Sequence, residues 1–173
     1  MRQGDWMQTF TGRKFWPIDP RAHEIDIVDI AHALSLQCRF AGHCLKFYSV
    51  AEHCVLLSQH VSKPNALWAL LHDAAKAYLT DIPRPLKSSL PQYKQYEQVL
   101  MHEICIALNL DLPEPSEVTL ADTAILTDEA RQNMSVPPEE WSTHGNGLGA
   151  VLQFWYPPRA EVEFLRAYEA LRK

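Results

Sequence analysis

The sequence predicts an all-α fold, a helical bundle of about six helices. Three observations predict it. Apolar residues recur at three- and four-residue spacing, no stretch alternates apolar and polar residues for long, and clusters bearing Pro or Gly cut the chain into helix-length pieces. At 173 residues the chain is long enough for a single domain around one apolar core. The predicted layout is an N-terminal arm over residues 1–25, a helical core over 26–134, and a C-terminal loop and helix over 135–173.

The arm is rich in Gly, Pro, Arg and aromatics, among them Phe15, Trp16, Pro17 and Pro20, and its lack of any period predicts an extended segment. From Asp26 the apolar positions Ile27, Ile30, Ala31 and Leu34 fall on one helical face, and Asp26 is a good N-cap, so a first helix is expected to about Leu36. A loop from Cys38 to Tyr48 follows, carrying Arg39, Phe40, Gly42 and His43. Ser49 and Glu52 form a capping-box pattern, each side chain serving the other's free backbone N–H, and so open a second helix with His53 in its first turn. Asn65 to Leu79, rich in Ala, Leu and Trp and free of internal Gly or Pro, is strongly helical by propensity and contains His72-Asp73.

Asp81-Ile-Pro-Arg-Pro-Leu-Lys87 is expected to be a loop, because two prolines that close together cannot continue a helix. A fourth helix is expected from about Gln92 to Leu110, and after Pro113 and Pro115 a fifth from Ser116 to Met134, with Asp122 near its start. Pro137-Pro138 opens an irregular segment with His144, Gly145, Gly147 and Gly149. An amphipathic helix from about Pro158 to Leu171 ends the chain.

Composition narrows the function classes. The formal charge of −5, from 21 acidic and 16 basic residues, offers no global basic field for a polymeric nucleic acid. No apolar run approaches the roughly 20 residues that span a bilayer, and Met1 to Lys14 is polar and lacks a signal-peptide core, so a cytoplasmic location without membrane attachment is expected. Cys38, Cys44, Cys54 and Cys105 form no C-x-x-C pair and no zinc-finger spacing. They read as free thiols, with a Cys38–Cys44 disulfide the less favoured alternative in a reducing compartment. Eight histidines in so short a chain direct attention to metal binding, since neutral imidazole is the commonest biological metal ligand. His102-Glu103 is not part of a zincin signature, because Ile106 stands where the second histidine belongs.

A His-Asp dipeptide alone is a weak signal. Its setting is more specific: Ser49-Val-Ala-Glu-His53 opens one helix, Leu70-Leu-His72-Asp73-Ala-Ala sits in the next, and Leu120-Ala-Asp122 follows after a fourth. This order resembles the HD-domain superfamily of metal-dependent phosphohydrolases. Between Asp26 and Arg131 the segments Cys-Arg-Phe-Ala-Gly-His, Phe-Tyr-Ser-Val-Ala-Glu-His and Asp-Ile-Pro-Arg-Pro-Leu-Lys are similar to its deoxynucleotidase branch, which includes bacterial 5′-deoxynucleotidases and phage deoxyadenosine triphosphohydrolases.

The resemblance implies four metal ligands, His53, His72, Asp73 and Asp122. Adjacent helical residues point about 100° apart, so His72 and Asp73 share an ion only if it lies off the edge between them, with His53 and Asp122 closing the site from other helices. A mixed nitrogen and oxygen set suits a divalent ion such as Mn, Co, Zn, Fe or Mg and does not choose among them. The branch commonly has a Glu four residues after the histidine of the pair, and here that position is Lys76. One turn from His72, Lys76 is expected to face the site. A protonated lysine cannot accept a proton, and a cation beside a dication is repelled unless an anion lies between them. Three readings of Lys76 therefore stand together: a clamp for substrate phosphate that leaves Asp81 or the metal to activate water, a desolvated neutral base, or the mark of a protein that binds nucleotide without turnover. A lysine that merely reaches out to solvent is the structural alternative.

The resemblance also implies a catalytic role for Asp81, phosphate contact for Lys87, and an Arg39-Phe40 pair that holds phosphate and packs against sugar and base. The usual aromatic at that position is Trp, which leaves selection against a 2′-hydroxyl plausible but unsecured. Trp16 in the arm is a candidate for stacking on a base. The expected activity is hydrolysis of a deoxynucleoside phosphate, with a slight preference for a triphosphate because Arg39, Lys76 and Lys87 are all cationic. A monophosphate-directed 5′-deoxynucleotidase and a non-catalytic nucleotide-binding protein are the alternatives, and the relatives imply a homo-oligomer.

Overall fold

A computed structural model describes residues 2–139 and 145–173; His144 lies outside the described residues. The molecule is predominantly helical, as the apolar spacing predicts, with eight α-helical segments and one small hairpin among the described residues. The expected extended arm is instead folded onto the core. Met7–Gln8 (β1) pairs antiparallel with Lys14–Phe15 (β2), Met7 opposite Phe15, and Gly12 supplies the positive φ of 82° that its turn requires. Strands of two residues are too short to leave a periodic trace in sequence. What holds them is tertiary: Phe15 is fully buried and stacks on Tyr78 at 4.0 Å, while Thr11 donates from its N–H and hydroxyl to the two carboxylate oxygens of Asp29.

Helix α1 spans Ile27–Leu36 and begins where expected, the Asp26 carboxylate accepting from the Val28 N–H at 2.9 Å. Helix α2, Val50–Ser58, is buried along its whole length. Leu57 there, removed entirely from water, contributes about 1.5–3 kcal/mol of hydrophobic stabilisation. Only half of the expected capping box forms. Ser49 accepts from the Glu52 N–H at 3.0 Å, but the Glu52 carboxylate accepts from the backbone N–H groups of Gln153, Phe154 and Trp155 at 2.7–2.9 Å. Three converging backbone donors are a stronger claim on that buried carboxylate than one helix-terminal N–H.

The helix expected over Asn65 to Leu79 is divided. Ala66–Leu71 forms α3 and Lys76–Leu79 forms α4. Between them the backbone stays right-handed at His72 and Ala75, yet hydrogen bonds run three residues back: Ala74 N–H to Leu71 O, Lys76 N–H to Asp73 O, and Ala77 N–H to Ala74 O. Such tightening brings residues three apart nearly into eclipse. The expected loop at Asp81 to Lys87 holds one helical turn, α5, Arg84–Lys87, because Pro85 falls in the first turn, where its missing N–H costs nothing. Helix α6, Pro91–Leu108, ends two residues before the expected Leu110, because Asn109 adopts a left-handed cap with φ 55°. Helix α7 spans Ser116–Asn133, and α8 spans Pro157–Leu171.

The core extends beyond residues 26–134. Ala160, Phe164 and Tyr168 of α8 belong to the same buried cluster as Ile30, Leu34, Val55 and Leu70, and α8 packs on α1, α2 and α3. A second cluster, with Tyr48, Leu56, Trp68 and Ile125, joins α2 and α3 to α7. No described helix is long and apolar enough to cross a membrane.

Candidate metal centre

The first turn of α2, the tightened turn after α3, and the second turn of α7 bring four side chains together. His53 Nε2 lies 3.3 Å from His72 Nε2, 3.2 Å from Asp122 Oδ1 and 4.0 Å from Asp73 Oδ2. His72 Nε2 lies 3.5 Å from Asp73 Oδ2 and 3.7 Å from Asp122 Oδ1. Ligand atoms about 2.1 Å from a shared ion stand about 3.0 Å apart at right angles and about 3.4 Å apart at the tetrahedral angle. The separations among His53, His72 and Asp122 are close to that size, and Asp73 stands beside His72 at the edge of the group. His53, His72 and Asp122 form one group able to hold an ion, and Cys54, His72 and Asp73 form another that shares His72.

Both imidazoles are held so that Nε2 faces the group. His53 Nδ1–H donates to Glu129 at 2.7 Å, and His72 Nδ1–H donates to the Ala69 carbonyl at 2.8 Å. Fixing the proton on Nδ1 leaves the Nε2 lone pair for an ion. Glu129 was not singled out in the sequence. It is fully buried, accepts also from Arg39 at 2.7 Å and from the Tyr48 hydroxyl at 3.0 Å, and these cations and donors outweigh burial to hold its carboxyl down at about 2. Its one sequence signal is spacing, since seven residues after Asp122 is two helical turns along the same face.

Electrostatics in the centre is that of a cation site. Burial would raise the pKa of Asp122, but hydrogen bonds from His53 and His72 overcome it and hold the group well below the carboxylate range. Burial would lower the His72 pKa, and the facing carboxylates, Asp73 foremost, raise it well above the ordinary value. With the His72 pKa raised, an ion bound at its Nε2 must displace a proton.

Lys76 reaches the site through Asp73. Its Nζ lies 2.8 Å from Asp73 Oδ2 and 2.8 Å from Asp81 Oδ1, and its side chain is 14% exposed. The tightened turn accounts for this: with residues three apart eclipsed, Lys76 stands over Asp73. The side chain does not reach out to solvent. Burial would favour its deprotonation, but Asp73 and Asp81, each at 2.8 Å, outweigh it and push the pKa above that of an ordinary lysine, which favours the charged form. Asp73 is the anion between Lys76 and the ion position that charge repulsion demands.

The other expected site residues are distributed unevenly. Arg39 is buried, paired with Glu129 and 3.8 Å from Asp73, and its buried Nε has no hydrogen-bond partner. It sits in a tight turn where Phe40 and Ala41 take φ of 54° and 50°, and the Phe40 ring lies 5.3 Å from the guanidinium. Lys87 pairs with Glu97 of α6 at 2.5 Å, and Trp16 lies beneath the Arg2 guanidinium at 4.2 Å within the arm. Arg84, absent from the expected set, lies 3.7 Å from Asp122 Oδ2 and is 67% exposed in its side chain, which makes it a cation at the rim of the centre.

No family model matches the chain. It is 44% identical over 126 residues to the uncharacterized protein YfdR of Escherichia coli, an alignment covering 73% of this chain and 71% of that relative. It is 32% identical over 141 residues to an uncharacterized protein of Rhodobacter capsulatus, covering 73% of this chain and 72% of the relative.

Proposed function

We propose that this chain, which belongs to the family of the uncharacterized protein YfdR of Escherichia coli, is a metal-dependent phosphohydrolase of the HD-domain type acting on deoxynucleoside phosphates. The observation that carries the reading is the convergence of His53 Nε2, His72 Nε2, Asp73 Oδ2 and Asp122 Oδ1, with both imidazoles pinned through Nδ1. A divalent ion held by these four residues supplies Lewis acidity toward a phosphoryl oxygen. Asp81 is the base of this reading. Lys76 holds its carboxylate 2.8 Å away and itself rests on Asp73, so the acidic oxygen sits beside the centre while its charge is balanced. Arg84 at the rim is the donor for a substrate phosphate, while the Nε of Arg39 is unpartnered but enclosed.

The slight preference for a triphosphate over a monophosphate rested on Arg39, Lys76 and Lys87, and each already faces a carboxylate. Arg84 alone of the named cations is largely exposed, so the tail length accepted is a matter for product analysis. The second reading, nucleotide binding without turnover, draws on Lys76 occupying the position where the resembled deoxynucleotidase branch commonly has a Glu.

The test incubates the protein with Mn²⁺ or Co²⁺ and a panel of nucleoside and deoxynucleoside mono- and triphosphates, measuring phosphate, pyrophosphate and triphosphate separately. Deoxynucleotide turnover that stops with a chelator and in Asp122→Asn is expected. Nucleotide binding with no turnover of any substrate would establish the non-catalytic reading instead.

A further inference from the structure

The loop that carries Arg39 is closed by two cysteines outside the metal centre. Cys38 Sγ and Cys44 Sγ are 3.4 Å apart as free thiols, both half-buried, whereas Cys54 and Cys105 are fully enclosed. The loop ends are fixed from both sides: Arg39 N–H donates to Tyr48 O at 2.9 Å and Val50 N–H to Gln37 O at 3.0 Å. Its outer limb is pinned to α7, Leu45 N–H donating to the Asn133 carbonyl at 2.8 Å. The pair is therefore held together by the surrounding backbone, while residues 41–43 and 45–47 beside it are exposed to a dissolved oxidant.

We propose that Cys38 and Cys44 are a reversible dithiol–disulfide pair that locks the Arg39 loop when oxidised. A disulfide needs the sulfurs at about 2.0 Å, an approach of about 1.4 Å from the observed separation. The oxidant class is a small disulfide such as oxidised glutathione. One cysteine thiolate attacks a glutathione sulfur and releases a glutathione thiolate; the second cysteine thiolate then attacks the protein sulfur of the mixed disulfide and releases another. Two protein thiols are oxidised, one glutathione disulfide is reduced to two thiols, and the two cysteine protons end on them. The ring so closed contains Phe40, Ala41 and Gly42, all at positive φ, so oxidation holds in place the left-handed turn that aims Arg39 at Glu129. Nothing in this inference depends on the catalytic reading.

The full chain is equilibrated in glutathione buffers of increasing oxidised fraction, acid-quenched, alkylated and weighed, and its tryptic peptides are mapped. Expected is a monomer lighter by two hydrogens, in which peptide 22–39 is joined to peptide 40–46, with slower amide exchange across residues 40–47, all reversed by dithiothreitol. Cys38→Ser and Cys44→Ser each remove the internal bond. Glutathione adducts only, cross-links between chains, thiols that stay free even in fully oxidised buffer, an internal bond that persists in Cys38→Ser, or unchanged amide exchange would each overturn the proposal.

Discussion

Lys76 and Glu129 set the character of the centre at the level of single residues. Lys76 lies on the same Asp73 oxygen that faces His72, so it competes with any ion placed there. Replacing it by Met should raise divalent affinity at least about tenfold, because a neighbouring cation is removed from a site of low exposure. Titration calorimetry with Mn²⁺ checks this, and unchanged affinity would show that the lysine does not act on the centre. Glu129 accepts from His53 Nδ1 and from Arg39 at 2.7 Å each, so one carboxylate fixes the imidazole and balances the guanidinium. Glu129→Gln removes the nearer counter-ion of a buried guanidinium, leaving Asp73 at 3.8 Å, and should destabilise the metal-free protein by up to about 3 kcal/mol in urea unfolding. It should also weaken metal binding by about 10–100-fold through the loosened imidazole. The His-Asp pair was legible from sequence because its residue types name their own chemistry. Glu129 was not, since a glutamate on a polar helix gives no sign of burial until α2 and α7 are packed together.

Elements are joined by contacts that skip long stretches of chain. Glu52 of α2 takes three backbone N–H groups at residues 153–155 and so fastens the segment that leads into α8. An unsatisfied buried N–H costs about 1–3 kcal/mol and these donors are partly accessible to water, so Glu52→Ala should cost about 1–3 kcal/mol and expose residues 145–173 to protease before the rest of the chain. Global unfolding with no early cleavage there would mean that α8 is held by its apolar face alone. The tightened turn at residues 72–75 is a second case: Ala, Leu and Trp favour helix on either side of it, and propensity carries no record of hydrogen bonds shifting register by one residue. The boundaries of α1 and α7 were legible because their caps and prolines act locally. The hairpin of β1 and β2 was not, because Phe15 is buried by Tyr78, more than sixty positions away.

In the whole molecule, the charged centre couples stability to pH. Glu129 is depressed from 4.5 to about 2, so its contribution is full above about pH 4.5 and is lost as pH falls toward 2, a change on the order of 3 kcal/mol. His72 is raised above 6.5, so its contribution is full below that value and disappears as pH rises through the folded-state pKa. Chelator-treated protein should therefore be most stable between about pH 4.5 and 6.5. Metal must displace the His72 proton, so Mn²⁺ should move the optimum to higher pH and bind more weakly as the solution is acidified. At a hundredfold excess over Kd it adds about 2.7 kcal/mol, a rise of roughly 5–10 °C in Tm for a domain of this size. Thermal melts across pH with and without Mn²⁺ measure both effects, and coincident curves would remove the metal from the account.

By itself the sequence determined the helical class, the order of the main helices and the presence of His53, His72, Asp73 and Asp122, because periodicity, capping and ligand chemistry are written in local patterns and residue types. The tertiary structure alone decided that these four converge, that Lys76 rests on Asp73 and Asp81, and that Glu129 and Glu52 are buried anchors. Those facts depend on which helix faces pack and on which buried donors need an acceptor, and a linear chain carries neither until it is folded.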